Sequence, residues 1–464
     1  MSLINTYIDQ LHESLSPDSV LIGEAVRSRP ASGRDPVGCA AAALLLPRST
    51  AEVAAALRIC HGAGVPVVPR AGMTGLVGGT VAGPHEIALS LERLTGIGAV
   101  DAAGATLTAG AGATIEAVQR HTAESGFLFA LDLGSRGSAT VGGAIATNAG
   151  GNKVIRYGMM RDLVLGLEAV LADGTVVSSM NALLKNNTGL DLKQLFIGTE
   201  GTLGVVTRAV LRLYPLPRAR HTALAALPDF AAMAGFLRAM REESNGALSS
   251  FEAMWPSYYA LATRPAGRLH PPLPHGAAFY ALVEWEGADA EGDAQRFGTA
   301  LARALEAGLI ADAVLARSEA ERTTLWAIRD DVTEHLRPLA PRFSFDVSLP
   351  IPSMPEYVDT LTRVVAARWP GAAVVAFGHL GDGNLHVIVS AGRTDVRAAV
   401  EELVYRPLAA LGGAVSAEHG IGLDRKAWLA LSRSAEERRA MALVKRALDP
   451  ANILNPGKIL DSLS

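Results

Sequence analysis

The stretch FGHLGDGNLH and, farther along, SAEHGIG gather residue types that bind metals and move protons. His379 and His386 are seven positions apart, which is wrong for one helix face and would put them on opposite faces of a straight strand. A hairpin removes the objection. Asp382-Gly383 is a favoured two-residue turn, and with it paired positions sum to 765, so that Leu380 faces Leu385 and His379 faces His386. Directly opposed side chains lie ~5 Å apart on one face, close enough to share a divalent ion ~2 Å from each ring nitrogen. Glu418 offers a third ligand of carboxylate type, with His419 beside it. Two histidines, one carboxylate and an open position make a catalytic rather than a structural zinc set, although manganese or iron suits the same ligands. The plain alternative is a hydrogen-bonded histidine pair beside a glycine turn.

Such a hairpin needs a scaffold. Residues 49–64 read as a helix, with Ser49 and Glu52 as a capping box, Val53, Ala56, Leu57 and Cys60 on one apolar face, and Gly62 and Gly64 at its end. A short strand at 65–68 runs into the glycine-rich loop RAGMTGLVGG, 70–79. Strands at 87–91 and 105–109 and a helix at 114–124 follow, then a second glycine-rich region at 133–151. Asp173-Gly174 turns a hairpin between apolar strands, and a third glycine cluster near 195 leads into a strand that stops at Pro215 and Pro217, a domain boundary. Beyond 218 glycine thins out and longer helices alternate with strands, among them a helix at 318–337 with its own Ser318/Glu321 capping box. The end, DPANILNPGKIL, is too apolar for a free terminus and is expected to dock on the first domain.

Composition narrows the classes. With 464 residues, 49% hydrophobic and 19% charged, the chain is neither fibrous, disordered nor disulfide-dense. A net charge of −4 without Lys/Arg runs argues against nucleic acid and for small-molecule or protein partners. Cys39 and Cys60 sit in no metal or redox spacing, as in a reducing compartment. The beginning, MSLINTYIDQLHESL, lacks a basic secretory pattern, and no ~18-residue apolar run occurs, so a soluble cytoplasmic chain is expected. Glycine is in excess, 47 residues, against a usual ~7%. Glycine lets successive backbone amides approach phosphate, yet neither the P-loop nor the G-x-G-x-x-G pattern is present. Tight turns of an all-β module would explain one such loop; three in one domain suggest one large ligand.

VVPRAGMTGLVGG, GSRGSATVGGAIATNAGG, RYGMMRDLVLGLEAVLADG, NNTGLDLKQLFIGTEGTLGVVT and ILNPGK resemble, in order and spacing, the FAD-linked oxidases of the vanillyl-alcohol oxidase type. The resemblance implies an α+β chain: a two-part FAD-binding domain at 1–216, a substrate or cap domain with an antiparallel sheet at 217–417, and a C-terminal return at 418–464. It implies FAD held without a Rossmann fold. Its pyrophosphate would be cradled by amides of Ala71 to Gly75, after Arg70 and through Gly72, Met73 and Thr74, and by the 134–151 region. From that region come Gly134, Ser135, Thr140, Gly142, Gly143, Thr147, Asn148, Gly150 and Gly151. Further contacts are implied for Tyr157, Gly158, Glu200, Gly201, Gly204, Val206, Asn384 and Asn455. Covalent members link the flavin to a histidine where this chain has Thr74, so a non-covalent flavin is expected.

Within that family GDGNLH and AEHGIG look like the substrate half of D-2-hydroxyglutarate and D-lactate dehydrogenases, whose metal ligands match His379, His386 and Glu418 and whose base matches His419. The chemistry agrees. Oxidising a 2-hydroxy acid removes a hydroxyl proton and a hydride; a chelated metal lowers the hydroxyl pKa, a neutral histidine takes the proton, and flavin takes the hydride. Arg329 and Thr333 are i and i+4 on the expected helix, and hydroxyglutarate dehydrogenases bind substrate with Arg and Thr at these places. Two departures stand out: Ser344, on the polar face of FSFDVSLP, replaces a lysine, and Ile388 replaces an asparagine. Both make the pocket less polar, which favours D-lactate or an apolar D-2-hydroxy acid over D-2-hydroxyglutarate or D-malate. The electron acceptor implied is an electron-transfer flavoprotein or a quinone, and a homodimer is compatible. Rival readings are a flavoprotein subunit of a multi-subunit glycolate or lactate oxidase, and a non-catalytic flavin or metal carrier; GDGNLH and AEHGIG argue against a lipid-synthase relative.

Overall fold

The computed structural model describes residues 3–33, 37–263 and 270–461. The chain forms two units, one of residues 1–151, 158–216 and 418–464, the other of 152–157 and 217–417. The short excursion 152–157 departs from a boundary at 216, and side-chain bonds explain it. Lys153 Nζ lies 2.7 Å from Glu286, the Tyr157 hydroxyl donates to the same carboxylate at 2.9 Å, and Ser250 donates to the Asn152 carbonyl at 2.8 Å.

In the first unit the strands Val20–Ile22, Ala43–Leu45, Ile87–Ser90 and Val67–Arg70 form one sheet in that order, the last three mutually parallel. Helix Thr50–Ala63 buries Val53, Ala56, Leu57 and Cys60 against it. Ser49 accepts the Glu52 amide at 3.2 Å, but the Glu52 carboxylate reaches past Ser49 to the Arg48 amide at 2.8 Å, so only half the capping box forms. A second sheet is antiparallel, in the order Thr106–Gly110, Val205–Arg212, Val164–Val170, Val176–Ser179. Its Asp173-Gly174 turn is a three-residue loop closed by the Leu171 amide on the Thr175 carbonyl at 2.9 Å. The segment 418–461 is part of this unit. Val67 donates to Ile453 at 2.7 Å, Asn455 donates back to Val67 at 2.8 Å, and Ile453 and Leu454 enter the core beside Val67 and Leu89.

The second unit is built on a seven-stranded antiparallel sheet, in the order Asp312–Leu315, Ala219–Leu227, Phe279–Gly287, Leu248–Met254, Ala373–His379, Asn384–Ser390, Phe343–Ser348. Strand residues alternate between its faces. One face takes helices Phe230–Ser244 and Ala290–Glu306, through Phe236 on Phe251 and Phe297 on Trp285. The other takes Pro256–Thr263 and Glu319–Asp330, which pack Tyr258, Tyr259, Leu325, Trp326 and Ile328 on Leu224, Leu282, Met254, Phe377 and Ile388. The single helix expected over 318–337 is instead two pieces, Glu319–Asp330 and Val332–His335. Two carbonyls of its last turn bond elsewhere, those of Ile328 and Arg329 accepting the Tyr258 hydroxyl, and a ring nitrogen of His335 lies 3.0 Å from the Ala327 carbonyl, which also keeps the Asp331 amide. Thr333 therefore sits beyond the break, exposed, while Arg329 is buried. Among the described residues no helix is long and apolar enough to cross a membrane.

Candidate functional site

The glycine loops of the first unit are held by a few buried polar groups. Asn455, 1% exposed, donates through Nδ2 to the carbonyls of Gly79 at 3.0 Å and Glu200 at 2.7 Å, tying the first loop to the third. The Glu200 carboxylate accepts the amides of Ile421 at 2.7 Å and Gly422 at 2.9 Å, fastening the third loop to the turn after AEHG. Burial raises the Glu200 pKa more than those amides and Arg425 lower it. Gly72 explains how the first two loops approach: a Cβ there would lie 2.1 Å from the Ser138 carbonyl oxygen. Gly142 likewise leaves no room for a Cβ, which would lie 2.6 Å from that of Ala111.

The residues expected to touch FAD divide into two groups. Among the described residues, no protein group accepts the amides of Ala71, Gly72, Met73, Thr74 and Gly75, or those of Gly134, Ser135, Gly150 and Gly151. Among the same described residues the side-chain oxygen of Asn455 is also buried without a partner. These groups fit an oxygen-rich ligand of the FAD kind. Others are engaged by the protein itself. The Arg70 guanidinium turns inward to the Pro30 carbonyl, Cys39 and Met73. The amides of Val141, Gly142 and Gly143 go to Ala113, Ala111 and the Thr140 hydroxyl, so these three are not open to phosphate. Thr147 donates to the Gly143 carbonyl and Asn148 accepts the Arg161 amide. Gly204 packs on the Phe196 ring, Gly201 on Pro69, and Val206 is buried in its strand. Gly158, at φ 77, makes the left-handed turn after Tyr157.

In the second unit the hairpin exists, but not in the expected register. Ala376 pairs with Val387 and Phe377 with His386, so paired positions sum to 763 instead of 765. The connection is a helical turn, Leu380–Asp382, closed by Gly383 at φ 82. A slip of two residues keeps every side chain on its face, where a slip of one would reverse them. His379 and His386 consequently meet diagonally, ring centroids 5.2 Å apart and Nε2 to Nε2 3.4 Å. Their other neighbours complete a row over four adjacent strands. His379 is paired across the sheet with Glu252, its Nδ1 2.7 Å from Oε1. His386 is paired with Asp346, its Nδ1 3.7 Å from Oδ1. Carboxylate behind imidazole, with the far nitrogens converging, is the arrangement that prepares histidines for a divalent metal.

Arg329 closes this row from above. Its Nε donates to Glu252 at 2.7 Å, Nη2 lies 3.3 Å from His379 Nε2, and the guanidinium covers the Phe377 ring at 4.9 Å. Burial alone would raise the Glu252 pKa; its hydrogen-bonded partners His379 and Arg329 outweigh it and hold the carboxyl well below the usual range. Residues 414–417 run along the edge strand, Ser348 bridging Ala414 and the Ala417 amide reaching the Asp346 carbonyl at 3.4 Å. Glu418 is the next residue, its Oε1 3.5 Å from His419 Nε2. Ser344 is exposed and pairs with Ile388, which is 3% exposed and packed with Phe377 and Tyr258. Ile388 is thus part of the core under the helices. Glu252 was not singled out from sequence; the available signal was a lone carboxylate inside LSSFEAM, a strand buried at every position.

Residues 41–179 match the family model for an FAD binding domain, and residues 216–459 match that for the C-terminal domain of FAD linked oxidases. The chain is 41% identical over 420 residues to the mitochondrial D-2-hydroxyglutarate dehydrogenase of Bos taurus, covering 90% of this chain and 76% of that one. It is 39% identical over 432 residues to a D-2-hydroxyglutarate dehydrogenase of Xanthomonas citri pv. viticola, covering 90% and 89%. A crystal structure of p-cresol methylhydroxylase shares the fold, with a TM-score of 0.79 at 17% identity over 99% of this chain and 97% of that one. With two matching domain models, and with relatives this similar over nine-tenths of its length, the chain belongs to the FAD-linked oxidases.

Proposed function

We propose that the protein is an FAD- and metal-dependent dehydrogenase that oxidises a D-2-hydroxy acid to the 2-oxo acid, preferring D-lactate or another apolar D-2-hydroxy acid to D-2-hydroxyglutarate or D-malate. The observation that carries it is the pair of converging imidazoles, His379 and His386, each with a carboxylate behind it. Glu418, the carboxylate before the histidine in AEHGIG, is the third ligand of this reading. Zinc, manganese and iron all suit this donor set. The relatives' names supply the substrate class. When bound, the metal lowers the pKa of a chelated hydroxyl and the flavin accepts a hydride. His419, next to Glu418 in the chain, takes the hydroxyl proton on its ring. The electron acceptor of this reading is an electron-transfer flavoprotein or a quinone.

Two features of this chain favour a small or apolar side chain over a second carboxylate. Ser344 brings no cation to the polar end of its strand, and the charge of Arg329 is already countered by Glu252 at 2.7 Å. A distal carboxylate would therefore meet a nearly neutral pair. The test is anaerobic bleaching of the flavin by D-lactate, D-2-hydroxybutyrate, D-malate and D-2-hydroxyglutarate, before and after chelation, with kcat/KM measured for each. Bleaching that survives complete metal removal sinks the metal role. A strong preference for the diacids sinks the substrate assignment while leaving the reaction type intact.

A further inference from the structure

Glu252 is fully buried in the middle of strand Leu248–Met254, where a carboxylate costs several kcal/mol unless it is paired and hydrogen-bonded. Docking of helix Glu319–Asp330 does not by itself require it. On the adjacent strand Glu284 serves that purpose, accepting Trp326 Nε1 and the Thr222 hydroxyl at 2.7 Å each and Arg322 at 3.3 Å. The two glutamates each receive an arginine from the same helix face, seven residues apart. They differ in the histidine. Glu252 divides its oxygens, Oε2 to Arg329 Nε and Oε1 to His379 Nδ1, both at 2.7 Å. An ionised carboxylate can only accept, so Nδ1 carries the proton. Arg329 can only donate, and its Nη2 lies 3.3 Å from the other ring nitrogen. Both neighbours select the same neutral tautomer.

We infer that Glu252 is a positioning residue for the metal chemistry. It fixes His379 with its proton on Nδ1 and its Nε2 lone pair turned toward His386, ready for a divalent ion, and through the same carboxylate it seats Arg329 beside that lone pair. The inference rests on the metal reading proposed above, and the two can fail separately.

The experiment compares FAD-loaded wild-type protein with Glu252→Gln, Glu252→Asp and Glu284→Gln. Zinc affinity is read by competition with a chromophoric chelator, ligand geometry by the visible bands of the cobalt(II) form, and folding by thermal unfolding. Glu252→Gln is expected to bind zinc about 10–100-fold more weakly with altered cobalt bands, Glu252→Asp to recover part of the loss, and Glu284→Gln to melt earlier with unchanged zinc affinity. A folded Glu252→Gln protein with wild-type zinc affinity overturns the inference. Should that variant not fold, selectively ring-15N-labelled histidine in metal-free wild-type protein decides, the His379 signal being assigned with His379→Asn. A proton on Nδ1 supports the role, and a proton on Nε2 overturns it. Wild-type protein that takes up no zinc, manganese or iron overturns the metal reading instead, while the tautomer measurement still judges Glu252.

Discussion

The glycine loops of the first unit and the histidine row of the second are made of opposite materials. The loops offer backbone amides from contiguous stretches, Ala71 to Gly75 above all, and are held by Asn455 and Glu200. The row offers side chains, and its partners are remote in sequence: Glu252 lies 127 residues from His379 and 77 from Arg329. The contrast has an energetic consequence. Amides remain whatever side chain the residue carries, so a loop fails when its backbone is displaced. A buried polar row in a low-dielectric interior fails when any one member is removed, because the others are left unpaired.

His379→Ala should show the largest effect, since it removes a proposed ligand and strands Glu252 beside Arg329. Metal affinity is expected to fall by more than about 100-fold, measured by metal content after gel filtration, while flavin content stays near wild type. Loss of flavin together with the metal would break the contrast. Gly72→Val approaches the loops in the complementary way. Its Cβ would meet the Ser138 carbonyl, which is backbone and cannot swing aside. We expect a loss of about 3 kcal/mol and poor flavin retention, read by denaturant unfolding and the 450 nm absorbance, with zinc affinity little changed in whatever protein folds.

Asn455→Ala sharpens the comparison at lower cost. Two carbonyls, of Gly79 and Glu200, lose their donor, which is expected to cost about 1–3 kcal/mol and to weaken flavin binding without altering the amides themselves. The smallest effect is expected at Glu168, whose burial raises its pKa but is outweighed by hydrogen bonds from Arg208, Thr50 and Thr207 and the charge of Arg208, so that it titrates below its usual range. A depressed carboxylate stabilises the fold above its unfolded pKa, and the contribution disappears as pH falls through the folded value. Glu168→Gln should therefore be less stable than wild type at pH 7, by about 1 kcal/mol or less, and the gap should narrow below pH ~4.5. Urea midpoints at pH 7 and pH 4 check the sign.

The same contrast accounts for what could be read from the chain alone. Glycine clusters, capping serines and the Asp-Gly turns act within a few residues, so the loops, the helix at 50–63 and the existence of a hairpin between His379 and His386 were legible. Hairpin register was not: a helical turn at Leu380–Asp382 replaced the two-residue turn, and the histidines kept a common face only because the slip was even. The break after Asp330 was also invisible, because the Tyr258 hydroxyl that accounts for it comes from 70 residues away. Ile388 looked like a pocket residue by spacing and is core by packing.

Sequence by itself determined the candidate ligand types, the glycine positions and their order, because these depend on side-chain chemistry and local backbone freedom. Tertiary structure decided which amides stay open and which carboxylate stands behind His379. Those depend on buried hydrogen-bond partners drawn from distant strands and helices, and a buried carboxylate such as Glu252 acquires its role only when the sheet sets His379 on one side of it and the helix sets Arg329 on the other.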